Sequence, residues 1–338
     1  MNDNESQALE RIAAALEVIA HKLAADNPAV TGIDDQGEDE NRDEFDETLI
    51  RFDAGNPLLF PFSIVNSETT GVDNQEACGN GTTPPVNDIN RILRFLSDRN
   101  IEVEAFRKDS ETDEVLDGIA LYMGTHYTQI KKVYTAIKSR ISSDKGFWVD
   151  LIDETPDTVH YSCNLCAQLH QIAFLEHYMY TNFPSSILYA KSGRIPLAIN
   201  FITGDWLERY IRMEVKNLIA EFPPAVRFAY LANPHIILPS GGRLELDFLF
   251  AVNDEIYWFE AKTGDYQSYV AKYSKMAKQL RLDRTHAVLV LADIDESRCS
   301  ALEKVYGLGF VGIKQFPDLI RKAAERFFPT EQECASVL

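Results

Sequence analysis

The spacing of apolar positions changes period several times across the last third of the chain. Trp206, Leu207, Tyr210, Ile211, Val215 and Leu218 recur at intervals of three and four, which predicts a helix over 204–222 that Pro223 and Pro224 stop. Residues 243–252, RLELDFLFAV, alternate instead. That pattern predicts a strand with Leu244, Leu246, Phe248 and Phe250 on one face and Glu245 and Asp247 on the other. Asn253 and Asp254 signal a turn, and EIYWFEAK (255–262) predicts the returning strand, with Glu260 and Lys262 on one face. Residues 268–284 read as a helix and HAVLVLADI (286–294) as a buried strand. With one more strand in RFAYLANPHIIL (227–238), the order is α-β-β-β-α-β.

Upstream, the pattern is more mixed. Leu9, Ile12, Leu16, Ile19 and Leu23 form a heptad seam. A helix of about three heptads is marginal alone in water, so it is expected to pack on a sister chain, a protein partner or its own body. Residues 26–48 are acidic and nearly devoid of large apolar side chains, as in a solvated linker. A Pro-broken apolar stretch and a long loop (66–88) follow; Asp88 is expected to cap a helix over 89–98, and IEVEAF alternates like a strand. Residues 117–142 predict one or two helices and 157–174 another. EHYMYTN and SSILYAKS, flanking Phe183-Pro184, then predict a hairpin. Helices followed by a hairpin match a winged helix, which either reads DNA or serves as a spacer or dimerisation element. Lys131, Lys132, Lys138, Arg140 and Lys145 are its candidate phosphate contacts.

Charge changes this picture in one place. The net charge of −19 is concentrated at the N-terminus, where residues 1–50 hold fourteen acids and three bases. Acidity weakens general attraction to phosphate but does not forbid a locally basic channel. No apolar run approaches a membrane span, and the polar N-terminus shows no export signal. With five cysteines, an odd number, reduced thiols and a cytoplasmic location are expected.

The candidate chemistry lies on the predicted hairpin. Pairing through Asn253-Asp254 sets Asp247 beside Glu260, and two such carboxylates repel unless a cation lies between them. Hard oxygen ligands favour Mg²⁺ or Mn²⁺. Glu208 on the preceding helix is placed to add a ligand, and Glu245 is a weaker candidate for a second ion. Lys262, surrounded by acids, is expected to stay protonated beside the reacting water. Glu214-Val215-Lys216 repeats the Glu-x-Lys spacing, but within a predicted helix, where the two side chains diverge. Lys272, Lys275, Lys278 and Arg281 recur every three residues and form either a phosphate-tracking stripe or a solvated basic face. Cys163, Cys166 and His170, with His160 nearby, could ligate zinc; small cysteines packed in a helix core suit the pattern better.

Asp247 followed by Glu260-Ala261-Lys262 resembles the PD-(D/E)xK nuclease superfamily. GDWLERYI, ELDFLF and EAKTGDYQSYVAKYSKMAKQL together resemble the nuclease domain of CRISPR-associated CARF-nucleases, which are activated by cyclic oligoadenylate. The resemblance covers about residues 120–320. It implies a restriction-endonuclease-like α/β core preceded by a winged-helix module. It also implies metal-dependent cleavage of DNA or RNA in defence or nucleic-acid processing, by Glu208, Asp247, Glu260 and Lys262. The expected organisation is a coiled-coil or docking helix (1–25), an acidic linker (26–48), a small irregular α/β region (49–115), the winged-helix module (116–195) and the nuclease domain (196–338). The first 115 residues lack the pattern of a CARF sensor, so control by a homo-oligomer or protein partner at the N-terminal helix is expected. The competing expectation is a non-catalytic nucleic-acid-binding or scaffold subunit.

Overall fold

The computed structural model describes residues 88–108, 113–181, 186–222 and 226–325. The heptad seam, the acidic linker and the Pro-broken stretch lie outside the described residues.

The alternating stretches assemble into a mixed sheet with helices on both faces. Strand β1 (Glu102–Arg107) pairs antiparallel with β5 (Phe228–Ile237), which pairs antiparallel with β7 (Phe248–Val252). Then come β8 (Glu255–Lys262), β9 (Ala287–Leu291) and β10 (Gly309–Gly312). Short β6 (Arg243–Glu245) pairs only with β5. β7 and β8 form an antiparallel hairpin in which Phe248 faces Phe259 and Val252 faces Glu255. Asn253 turns it with φ of 47°, a left-handed conformation that Asn tolerates better than most residues. β9 runs parallel to β8. Parallel pairing needs a long crossover, which α7 (Gln267–Leu280) supplies.

Successive side chains of the central strands feed two cores. Phe248, Phe250, Val252, Tyr257 and Phe259 pack on one face with α6 (Trp206–Ala220) and α9 (Phe316–Glu325). Leu249, Ala251 and Trp258 pack on the other with α1 (Asn90–Ser97), α7 and α8 (Glu296–Tyr306). Each fully buried large side chain, Trp206 and Trp258 among them, stabilises this arrangement by roughly 1.5–3 kcal/mol.

Three expectations need correction. Asp88 does not cap α1 with its side chain. Ile89 holds the N-cap position, while the backbone of Asp88 accepts from Arg91 N–H and donates to the Phe228 carbonyl. The run 243–252 is not one strand. It breaks at Leu246-Asp247, so Leu246 shares a core with Leu249 while Phe248 faces the opposite core. Residues 102–107, expected in a small region of their own, hydrogen-bond to β5 in the main sheet.

The middle of the chain forms α2 (Asp113–Thr125), α3 (Tyr127–Arg140), β2 (Phe147–Asp150) and α4 (Pro156–Gln171). The expected hairpin follows as β3 (Leu175–Thr181) and β4 (Ile187–Ser192); β2 extends it to three strands in the order β2-β4-β3. Thr155 caps α4 by accepting from Thr158 N–H. A short helix, α5 (Pro196–Asn200), and a wide turn at Phe201–Asp205 lead into α6.

Buried charges join this segment to α6. Arg209 donates to Asp113 at 2.8 Å and to Asp117 at 2.7 Å, and Arg212 donates to both Asp117 oxygens at 2.6 and 2.8 Å. The helices cross closely. A Cβ added at Gly124 would lie 2.1 Å from the Tyr210 ring, which excludes any larger residue there.

Candidate active site

The β7–β8 register sets the geometry. Continued one residue past Phe248–Phe259, it puts Asp247 opposite Glu260. The Ala261 N–H donates to Asp247 Oδ2 at 2.8 Å, and the Asp247 N–H reaches Glu260 Oε2 at 3.4 Å. Period two turns Lys262 to the same face as Glu260. Its Nζ lies 3.5 Å from Asp247 Oδ2 and 3.4 Å from Glu260 Oε1. The structure therefore brings together Asp247, Glu260 and Lys262.

Electrostatics follow from burial. Both carboxyl groups are buried, and desolvation pushes each above its ordinary range. For Asp247 the neighbouring Glu260 charge adds to the rise. Desolvation alone would lower Lys262, but Asp247 and Glu260 outweigh it and keep the ammonium charged. One ammonium does not bring the carboxyl groups back to ordinary acidity.

Glu208 stands next to this centre. Burial, and then the charge of Asp247, raises it to about 7. The Asn233 amide donates to Glu208 Oε2 at 2.8 Å and to Glu245 Oε1 at 2.9 Å, bridging the two acids. Asn233 also donates its backbone N–H to the Asp247 carbonyl at 2.9 Å and holds φ of 48° within β5. A left-handed residue inside a strand is uncommon. Here it aims one side chain at two acids while its backbone holds the third. The charge of Glu245 also raises the Asp247 carboxyl group. Glu245 sits on β6, exposed, with His235 3.8 Å away, because the chain bends at Leu246.

Two members of this site escaped the sequence reading. Asn233 had a faint signal, a lone amide before Pro234 in an apolar strand. Tyr273 had none, because it falls on the apolar stripe of α7. Its ring lies 5.5 Å from Lys262 Nζ, and its hydroxyl bears on both Glu260 and Lys262.

Among the described residues, no group of three or more His, Cys, Asp or Glu side chains is spaced to hold a metal ion. The pair Asp247–Glu260 offers two hard oxygen ligands in an environment short of positive charge. That suits a magnesium-type cation, which takes one or two carboxylates and leaves its other positions to water and phosphate.

The remaining candidates lie elsewhere. Lys272, Lys275 and Lys278 are exposed on α7, and Arg281 lies past the helix end with φ of 54°. None of them reaches the carboxylates. Glu214 and Lys216 sit within α6, with the Lys216 ammonium over the Tyr230 ring. Cys163 and Cys166 are free thiols whose pKa burial raises, which disfavours metal-binding thiolates.

No protein-family model matches the chain, and no curated protein matches it. Several solved structures are similar to it, and two of them align over about 70% of its length. Protein VC1899 from Vibrio cholerae is 18% identical at a TM-score of 0.46, covering 70% of this chain and 61% of that one. Can2 from Sulfobacillus thermosulfidooxidans, in complex with cyclic tetra-adenylate, is 11% identical at a TM-score of 0.47, covering 68% and 58%. This chain thus spans about three fifths of each. Both likenesses fall below a TM-score of 0.5, so the functional reading rests on the site itself.

Proposed function

We propose that this chain is a metal-dependent nuclease that hydrolyses phosphodiester bonds of DNA or RNA on a restriction-endonuclease-like core. The observation that carries the reading is the convergence of Asp247 and Glu260 on one ammonium, Lys262, at the end of a buried hairpin. The series α6, β5, β7, β8, α7, β9 matches the α-β-β-β-α-β order of that core. In this reading the segment α2 to β4 is the winged-helix module. A role in defence follows from the sequence resemblance alone.

Asp247 and Glu260 would hold Mg²⁺ or Mn²⁺, with Glu208 next in line. Bound there, the ion supplies Lewis acidity to a phosphodiester and to water. Lys262 remains an ammonium, orients the attacking water and offsets negative charge growing on the phosphorus centre. Asn233 fixes Glu208, and the Ala261 N–H fixes Asp247. Glu208, pushed to about 7, can hold a proton near neutrality.

Incubation with Mn²⁺ and single- or double-stranded substrates tests the reading. Cleavage that Asp247→Ala and Lys262→Ala both abolish supports it. A second reading, a non-catalytic nucleic-acid-binding scaffold, draws on the same triad, since Lys262 pairs with both carboxylates. Binding with no cleavage in any metal favours the scaffold.

A further inference from the structure

A cavity of about 320 Å³ opens beside Lys262, between α3 and the segment that follows β8. We propose that it binds an unpaired nucleotide of the strand whose phosphodiester lies at Lys262. This rests on the nuclease reading and names the substrate that reading leaves open.

Lys131, Lys138 and Lys262 line the cavity with one acid, Asp293, and the Lys262 ammonium is already shared by Asp247 and Glu260. Lys131 and Lys138 still outnumber the one lining acid, in a chain of net charge −19. Lys138 is fixed by donating to the Thr263 carbonyl and hydroxyl at 3.0 and 2.7 Å. Lys131 reaches across to Asp293 at 2.7 Å, and both partners are largely solvent-exposed. An exposed pair of this kind contributes little and yields readily to a phosphate.

The lining also suits a base. Tyr127, Tyr134 and Tyr266 contribute to its walls, and aromatic side chains are what unpaired bases stack on. The volume lies at the lower end of ligand pockets, about 300–1,000 Å³. It admits one nucleotide and excludes a duplex, so the base must be unpaired or extruded.

Equilibrium binding of short fluorescent oligonucleotides, with EDTA present to prevent cleavage, tests this. Single-stranded DNA and RNA probes decide which backbone is taken, and a duplex of the same sequence is the comparison. Thr135 is exposed at the cavity, and Thr135→Glu adds a carboxylate there. It should weaken single-strand binding at least about tenfold, because a like charge set against phosphate is strongly unfavourable. Asp293→Asn removes the one acid and should tighten binding several-fold, a gain that misfolding cannot produce. The inference is overturned if either variant binds as the wild type does, if the duplex binds as tightly as the single strand, or if no oligonucleotide binds. Wild-type cleavage unaffected by Thr135→Glu refutes the subsite and leaves the nuclease standing. Binding that responds to both variants without any cleavage refutes the nuclease and leaves the subsite.

Discussion

The backbone N–H of Ala261 donates to Asp247 Oδ2 across the β7–β8 hairpin, at 2.8 Å. The middle residue of the Glu-Ala-Lys triplet thus holds the acid that the outer two residues face. Asp247 is fixed by main chain, while Glu260 and Lys262 meet it through side chains.

That division predicts the behaviour of Asp247→Asn. The amide oxygen can still accept from Ala261, so the fold persists. Removing a buried, desolvated carboxylate should raise the melting temperature by about 2 °C or more. Cleavage should fall by roughly a hundredfold or more. Calorimetry and a Mn²⁺ cleavage assay on the same sample check both. A lower melting temperature together with normal cleavage would contradict the assignment.

Lys262→Ala removes the cation between two carboxylates. The variant should be less stable than the wild type without metal, because two like charges then face each other uncompensated. Added Mn²⁺ should raise its melting temperature more than that of the wild type, since the ion takes up the lost charge. Thermal shift against metal concentration measures this; equal shifts in both proteins would rule out an ion at this place.

Glu208 gives a pH signature. Its pKa rises from 4.5 to about 7 on folding, so between those values the folded state holds more protons than the unfolded one. Its contribution to stability is therefore greatest in acid and declines as pH rises through that window. Denaturant unfolding of metal-free protein should show this decline, and Glu208→Gln should flatten it. An unchanged slope in the variant would refute the raised pKa.

Asp117 receives Arg209 and Arg212 in the buried network between α2 and α6. Asp117→Ala leaves both guanidinium groups without that acceptor, and such breaks cost about 3–5 kcal/mol. Glu208 neighbours Arg209 on α6, so cleavage should fall together with stability. Chemical denaturation measures the loss; a change under about 1 kcal/mol would show that the network relaxes onto other partners.

The sequence by itself determined the elements and the key pair. Period two placed β8, whose span the structure reproduces at Glu255–Lys262, and periods of three and four placed α6. One turn signal, Asn253-Asp254, was enough to put Asp247 opposite Glu260, because hairpin register follows from the turn. Only the tertiary structure decided the rest. The break at Leu246-Asp247 depends on β5, which pairs with β6 on one side of the break and β7 on the other. Asn233 became part of the site through a left-handed backbone that no spacing rule reveals. Tyr273 and the Lys131–Lys138 cavity exist because α7 and α3 dock against the same end of β8. Local patterns fix which face a side chain takes along its own element; which distant elements share that face is set by packing, and packing is not periodic in sequence.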